Sequence, residues 1–280
     1  VIRDLVRSRG LGDVYKRHII YKKIIEIMSG DPGPDKVPIF HSKEPSDAKD
    51  ILMLQGKVKS VYEVAGVADK VHIHFHDKVT AGNGRLVEYP EEKGKVCCLI
   101  SALLFEHIEK QGVKTHYIDC PSLDTLLCRK LTIIPVEVIV RNIAAGSIVK
   151  NTNINEGVLI QPPIVEYFLK DDAKDDPLLT YDRVRLMGID PEPMKQVALD
   201  VNAHLQMLFT LMGIDLVDFK LEFGHDVHGD LFLADELSPD NMRLWKKNTK
   251  ERFDKDLFRK DEGDIVEAYK YILQKLRQFA

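Results

Sequence analysis

The sequence predicts an α+β fold, and three observations carry that prediction. Segments with apolar residues at every second position are interspersed with longer segments at helical spacing. The extended segments fall in neighbouring pairs joined by short polar stretches, the pattern of antiparallel hairpins. Regular alternation of single strands with helices is absent, so a doubly wound parallel sheet is disfavoured, and no internal repeat is visible.

Taken in order, residues 58–64 and 71–75 alternate and are separated by 65–70, which predicts a first hairpin. Residues 94–110 place Val96, Leu99, Leu103 and Ile108 near one helical face and stop before Gly112. A strand is predicted over 131–141, with Pro135 putting it at a sheet edge or at a bend. Asp190 caps a helix that opens at Pro191 and carries Val197, Val201, Leu205, Leu208 and Met212 up to Gly213. Residues 218–236 read as a second hairpin. Asp264 with Glu267 forms a capping-box-like start to a last helix bearing Ile265, Tyr269, Ile272 and Leu276.

Composition narrows the function classes. The chain has 280 residues, 44% apolar and 30% charged, a globular balance with length enough for a large core. A net charge of −4 argues against a nucleic-acid binder that relies on a positive field. Cys97, Cys98, Cys120 and Cys128 show no C-x-x-C spacing and read as free buried thiols of a reducing compartment. No apolar run approaches the roughly 20 residues of a membrane helix; the richest, 131–140, contains Glu137. A soluble, cytoplasmic protein is expected. Residues 1–30 are basic, with a short helix over 21–28, and 31–45 hold Pro32, Pro34, Pro38 and Pro45, which reads as an extended linker. For 1–50 a targeting segment, a partner-binding arm and a plain extension all stay open.

Chemistry concentrates in the second hairpin. In Leu216-Val-Asp-Phe-Lys-Leu-Glu-Phe-Gly224, Val217, Phe219, Leu221 and Phe223 line one side and Asp218, Lys220 and Glu222 the other, because side chains two apart share a face. A turn at 225–230 returns the strand ending in Asp235, bringing its carboxylate near Lys220 and Glu222. Two carboxylates beside an ammonium suit Mg²⁺ with substrate phosphates; a solvated charged face is the competing reading. Gly56-Lys-Val-Lys59 opens the first hairpin, with Lys57 and Lys59 on one strand face and Gly56 permitting close backbone approach. This fits either a polyphosphate or a solvated edge, and it is not a Walker loop. In Pro135-Val-Glu-Val-Ile-Val-Arg-Asn-Ile-Ala-Ala-Gly-Ser147, the Arg141 guanidinium, an exposed amide at Gly146 and the Ser147 hydroxyl make a cradle for a phosphate monoester. His72, His74 and His76 share a strand face, which ordinary alternation explains as well as metal ligation does.

These segments occur in order with Thr80-Ala-Gly-Asn-Gly84, Leu169-Lys-Asp-Asp172, Ala234-Asp-Glu-Leu-Ser-Pro-Asp240, Arg243-Leu-Trp245 and Asp254-Lys-Asp-Leu-Phe-Arg259. Over about residues 51–280 the chain resembles the phosphoribosylaminoimidazole-succinocarboxamide synthase (SAICAR synthetase) family. The resemblance implies a two-lobed α+β fold with antiparallel sheets and an ATP cleft between a smaller lobe (51–134) and a larger one (135–280). It implies a ligase that joins 4-carboxy-5-aminoimidazole ribotide to L-aspartate, splitting ATP to ADP and phosphate through an acyl phosphate, with ATP and Mg²⁺ required. Carried over by position, Gly56, Lys57, Lys59 and Lys170 would meet the nucleotide and Glu222 and Asp235 the magnesium. Arg141, Ser147, Arg243 and Arg259 would bind the ribotide phosphate, and Asp218 and Lys220 would act at the imidazole end. Small-molecule substrates and a homo-oligomer are implied, with no nucleic acid and no membrane. The chain departs from common family patterns at Lys150-Asn-Thr-Asn153 and at Lys78. A kinase-like phosphotransferase and a non-catalytic nucleotide binder are the competing functions.

Overall fold

The computed structural model describes residues 50–82 and 84–279. The basic segment, the 21–28 helix and the proline-rich stretch of residues 1–49 therefore lie outside the described residues, as does Asn83 of the 80–84 motif.

Two antiparallel sheets organise the described chain. The first has the order β1-β2-β3-β7-β6 and is built from β1 (Ile51–Gln55), β2 (Lys59–Glu63), β3 (Lys70–Phe75), β6 (Tyr117–Ser122) and β7 (Thr125–Arg129). The predicted hairpin is β2–β3, with Tyr62 opposite His72. A small separate hairpin, β4 (Val79–Ala81) with β5 (Leu86–Glu88), follows it. The 18-residue helix α1 (Lys93–Lys110) packs against β3, β6 and β7. Its start is set by Asp77, whose carboxylate accepts from the backbone N–H groups of Glu92 at 3.0 Å and Gly94 at 2.8 Å, answering donors that a helix leaves open. A side chain at Gly94 would meet the Phe75 carbonyl at 2.6 Å, so only glycine lets the helix sit this close to β3.

The second sheet runs β10-β9-β8-β11-β12, with β13 also paired to β11. Its strands are β8 (Thr132–Ile143), β9 (Leu159–Leu169), β10 (Leu178–Leu179), β11 (Ile214–His225), β12 (Leu231–Ala234) and β13 (Met242–Lys246). The edge position allowed for the strand around Pro135 is corrected here: β8 lies inside the sheet, between β9 and β11. Pro135, which has no N–H to donate, falls where the β8–β11 register shifts between Glu222 and Gly224. The bend was the right half of that expectation.

Short helices α2 (Ser147–Asn151) and α3 (Tyr181–Leu186) precede the long helix α4 (Pro191–Leu211), which covers the back of this sheet. The Asp190 carboxylate caps α4 by accepting from Glu192 N–H at 3.1 Å. Met194, Ala198, Val201, Leu205 and Leu208 recur at steps of three and four and are buried on the face that packs against β11 and β8. Burial of each large side chain contributes roughly 1.5–3 kcal/mol. Asn142 and Asn202 exchange amide hydrogen bonds of 2.8 and 3.0 Å across this contact, which satisfies both buried amides. The chain closes with α5 (Asp256–Lys260) and α6 (Ile265–Phe279), which packs on α1; Asp264 accepts from Val266 and Glu267 N–H. Among the described residues no helix is long and apolar enough to cross a membrane.

Candidate active site

One face of β11 is consumed by the core, where Phe219, Leu221 and Phe223 are buried. The expectation that Val217 joins them is corrected, because the register shift between Leu216 and Asp218 leaves it in a separate cluster with Ala145 and Trp245. The other face presents Asp218, Lys220 and Glu222, and its neighbours complete two charged clusters side by side.

The first cluster surrounds Lys220. β12 pairs Ala234 opposite Glu222, and Asp235 then leaves the ladder in the left-handed region at φ 63°. That turn brings its carboxylate round to the Lys220 face. The Lys220 ammonium stands 2.8 Å from Glu222 Oε1, 2.7 Å from Glu137 Oε1 and 3.9 Å from Asp235 Oδ2. Glu137 lies directly across the ladder from Glu222, a juxtaposition of like charges that the shared ammonium offsets. Lys170, just beyond β9, pairs with Glu222. Lys59, the first residue of β2, pairs with Asp235 and, at 2.7 Å, with Glu236. Burial alone would lower the pKa of Lys220, but Glu222, Asp235 and Glu137 hold it well above the ordinary lysine value. For Asp235 burial pushes upward and the ammonium groups of Lys59, Lys220 and Lys170 outweigh it, so the group stays ionised throughout the physiological range.

Lys57 does not share the strand face of Lys59, and that expectation is corrected. It sits in the turn between β1 and β2, and its ammonium is 2.6 Å from Asp172 on the surface. The turn is tight: Gly56 N–H donates to the Lys59 carbonyl at 2.8 Å, and a Cβ on Gly56 would lie 3.2 Å from that oxygen.

The second cluster is built on Asp218. Its two ladder partners are both arginines, Arg141 on β8 and Arg243 on β13. Arg141, at 1% exposure, donates to Asp218 at 3.0 Å, Glu166 at 2.6 Å, Ser147 Oγ at 2.7 Å and the Ala145 carbonyl at 3.3 Å. Arg243 donates through Nη1 to both Asp218 oxygens, at 3.0 and 2.9 Å, and through Nε to Asp256 at 2.9 Å. Arg259 donates to the same Asp256. Burial raises the Asp218 carboxyl above its usual range despite Arg243 and Arg141, whereas Asp256, also partly desolvated, is drawn down to about 2 by Arg243 and Arg259. Gly146 is left-handed at φ 65°, and a Cβ there would stand 2.6 Å from the Arg243 guanidinium. Asp218 and Lys220 are two residues apart on one strand, so the two clusters adjoin at about 7 Å.

Several participants were not singled out from the sequence. Glu137 and Glu166 lie on β8 and β9, and only the strand register brings them to the site. Glu236 and Asp256 lie in the 234–240 and 254–259 segments, whose sequence alone assigns them no role. Lys93 is 2% exposed at the start of α1 and pairs with Asp240, which also accepts from Tyr269 at 2.9 Å. Ligand atoms of Cys97, Glu236 and Asp240 lie within 4.8 Å of one another, but the Lys93 ammonium already neutralises Asp240, and burial pushes the Cys97 thiol far above its ordinary pKa. His72, His74 and His76 each turn to a separate partner: Asp50 at 2.6 Å, Thr125 at 3.2 Å and Ser60 at 2.8 Å. Trp245 packs with Ala145 and Val217.

Around Lys220, Glu222 and Asp235 are the residues that could hold a small divalent cation if it replaced their lysine contacts. Glu222 and Asp235 offer hard carboxylate oxygens directed at a common ammonium. The cluster has Lys59, Lys170 and Lys220 against Glu137, Glu222, Asp235 and Glu236, so it lacks the positive excess that a bare polyphosphate needs.

The SAICAR synthetase family model matches residues 52–276. The phosphoribosylaminoimidazole-succinocarboxamide synthase of Methanocaldococcus jannaschii is 45% identical over 228 residues, which are 80% of this chain and 93% of that protein. The synthase of the same name from a Synechocystis strain is 44% identical, over 80% of this chain and 88% of its own. Among solved structures, a SAICAR synthetase in complex with ADP superposes with a TM-score of 0.77 at 39% identity, covering 80% of this chain and 96% of that one. The Ehrlichia chaffeensis enzyme superposes with a TM-score of 0.79 at 37% identity, covering 82% and 99%. The chain belongs to the SAICAR synthetase family.

Proposed function

We propose that the adjoining clusters on β11 are the two halves of one ligase site. The reaction is that of the family: ATP-dependent joining of 4-carboxy-5-aminoimidazole ribotide to L-aspartate in purine biosynthesis. The observation that carries the residue assignment is the placement of Lys220 among Glu222, Asp235 and Glu137, next to an Asp218 clasped by Arg141 and Arg243.

In this reading Lys59, Lys170 and the 56–57 turn contact the polyphosphate of ATP. Glu222 and Asp235 hold Mg²⁺, which when bound neutralises phosphate charge; it would displace their present lysine contacts. Arg141, Arg243, Arg259 and Ser147 bind the ribotide phosphate and its surroundings, with Asp218 holding the guanidinium groups of Arg141 and Arg243 and Asp256 those of Arg243 and Arg259. An oxygen of the ribotide carboxylate attacks the γ-phosphorus and ADP leaves, giving an acyl phosphate. The aspartate amine then attacks the acyl carbon, loses a proton, and expels phosphate. Lys220 stands where negative charge develops in both steps, and preorganised positive charge at such a point is the main lever in phosphoryl transfer. Residues 51–134 and 135–280 act as the smaller and larger lobes around the nucleotide. A cytoplasmic location and a homo-oligomeric state rest on the family resemblance alone.

The test is an assay with ATP, Mg²⁺, the carboxy-ribotide and aspartate that follows ADP and the amide product together. Stoichiometric, aspartate-dependent formation of both supports the reading. ADP release that ignores aspartate, or no turnover, refutes it.

A further inference from the structure

Asp235 has to hold an unfavourable backbone conformation to aim its carboxylate at Lys220. A non-glycine residue in the left-handed region costs of order 1–3 kcal/mol, and persists only where its surroundings impose it. At φ 63° Asp235 is such a residue, and the structure supplies the constraint from the other sheet. Between α1 and β6 the chain runs beside β12: Leu233 N–H donates to the Lys114 carbonyl at 3.0 Å, and His116 N–H donates to the Leu233 carbonyl at 2.8 Å. Thr115 and Leu233 form a parallel bridge. This seats the His116 ring beneath the turn after Ala234, with Nε2 3.1 Å from the Asp235 carbonyl oxygen.

The chemistry of that contact fixes which partner donates. A carbonyl oxygen only accepts, so Nε2 carries the proton. His116 is 3% exposed, edge-on to Phe105 at 5.4 Å, and Cys128 Sγ lies 3.6 Å from the same nitrogen. With Nε2–H committed to that carbonyl and the ring enclosed in the core, the group works as a fixed donor.

We propose that His116 is a positioning residue: its Nε2–H holds the Asp235 carbonyl so that the strained turn persists and the carboxylate faces the nucleotide and its cation. The assignment of that carboxylate to a metal rests on the reading above. Hydrogen-bond partners of this kind outside the ligand set typically change metal affinity by roughly 10–100-fold when removed.

Two substitutions separate the donor from mere packing. His116→Gln places an amide N–H near the position of Nε2, and His116→Leu fills space without a donor. Binding of ADP is measured by calorimetry at fixed Mg²⁺ and again with chelator, and the conformation of residue 235 is read from crystal structures of both variants. The expected result is a left-handed Asp235 in His116→Gln with ADP affinity within about threefold of the parent. In His116→Leu the residue leaves the left-handed region, and Mg²⁺-supported affinity falls at least tenfold while chelator-treated affinity is unchanged. A left-handed Asp235 retained in His116→Leu overturns the proposal, as do equal losses in both variants. Aspartate-dependent turnover of the parent is scored separately, so failure of the ligase reading is not confused with failure of the positioning role.

Discussion

The ammonium of Lys220 lies 2.8 Å from Glu222 on its own strand, and 2.7 Å from Glu137 on the neighbouring one, so a single cation holds two facing carboxylates together. Removing one member of this partly buried group leaves the others uncompensated, at a cost below the roughly 3–5 kcal/mol of a fully buried pair. Lys220→Met is therefore predicted to lower the thermal midpoint by several degrees and to cut turnover by at least about 100-fold. The double variant Lys220→Met with Glu137→Gln should recover stability without recovering turnover. Differential scanning calorimetry with steady-state kinetics checks both halves.

In the proposed reading Glu222 and Asp235 hold the cation. Asp235→Asn is predicted to raise the Mg²⁺ concentration for half-maximal rate by at least tenfold, and Glu222→Gln should do the same. A chelator should abolish turnover of the parent and added Mg²⁺ should restore it. A parent rate indifferent to chelator would remove the metal from the account.

Gly146 tests the guanidinium cluster from the backbone side. A Cβ would meet Arg243 at 2.6 Å, and φ 65° with ψ −127° is a backbone region that costs an L side chain about 1–3 kcal/mol. Gly146→Ala should displace the guanidinium from Asp218, raising KM for the ribotide about tenfold or more while KM for ATP changes little. Equal effects on both substrates would show a general distortion instead.

Asp254 predicts a pH dependence of stability. Its carboxylate accepts from Leu244 and Asp256 N–H at 2.8 Å, yet complete burial, reinforced by the charge of Asp256, raises its pKa to about 7. The folded state thus binds this proton more tightly than the unfolded state, whose value is near the ordinary 3.8. The contribution is full below about pH 4 and is lost as pH rises to about 7. At about 1.4 kcal/mol per unit, its ceiling is about 4 kcal/mol. Asp256, with its pKa drawn down to about 2, acts below that window, in the opposite sense. Urea unfolding across pH 4–8 should show the fall in the parent and a flatter profile in Asp254→Asn.

Much of this site is legible in the sequence because β11 alternates regularly from Asp218 to Phe223. Asp218, Lys220 and Glu222 had to share a face, and a short turn had to bring Asp235 back toward them. What periodicity could not supply was the partners across the sheet. Arg141 and Arg243 flank Asp218 only because β8 and β13 both pair with β11 at that point, and Glu137 meets Lys220 by the same register. Register between distant strands is a property of the packed sheet, and a single alternating segment does not encode it. Lys57 was misplaced for a local reason: the tight turn at Gly56 shortens the strand, so that it begins at Lys59. Pro135 was misjudged as a potential edge marker because a register shift lets an interior strand tolerate it. His116 gave no sequence signal, since its role depends on a backbone carbonyl 119 residues away.

The central claim is that one cleft couples ATP cleavage to amide formation through Lys220, Glu222 and Asp235. Its most direct test is simultaneous measurement of ADP and of the succinocarboxamide product with and without aspartate, in the parent and in Asp235→Asn. The account predicts one ADP per product, strict dependence on aspartate, and loss of both signals together in the variant. ADP formed at the parental rate without aspartate, or by Asp235→Asn at ordinary Mg²⁺, would contradict it.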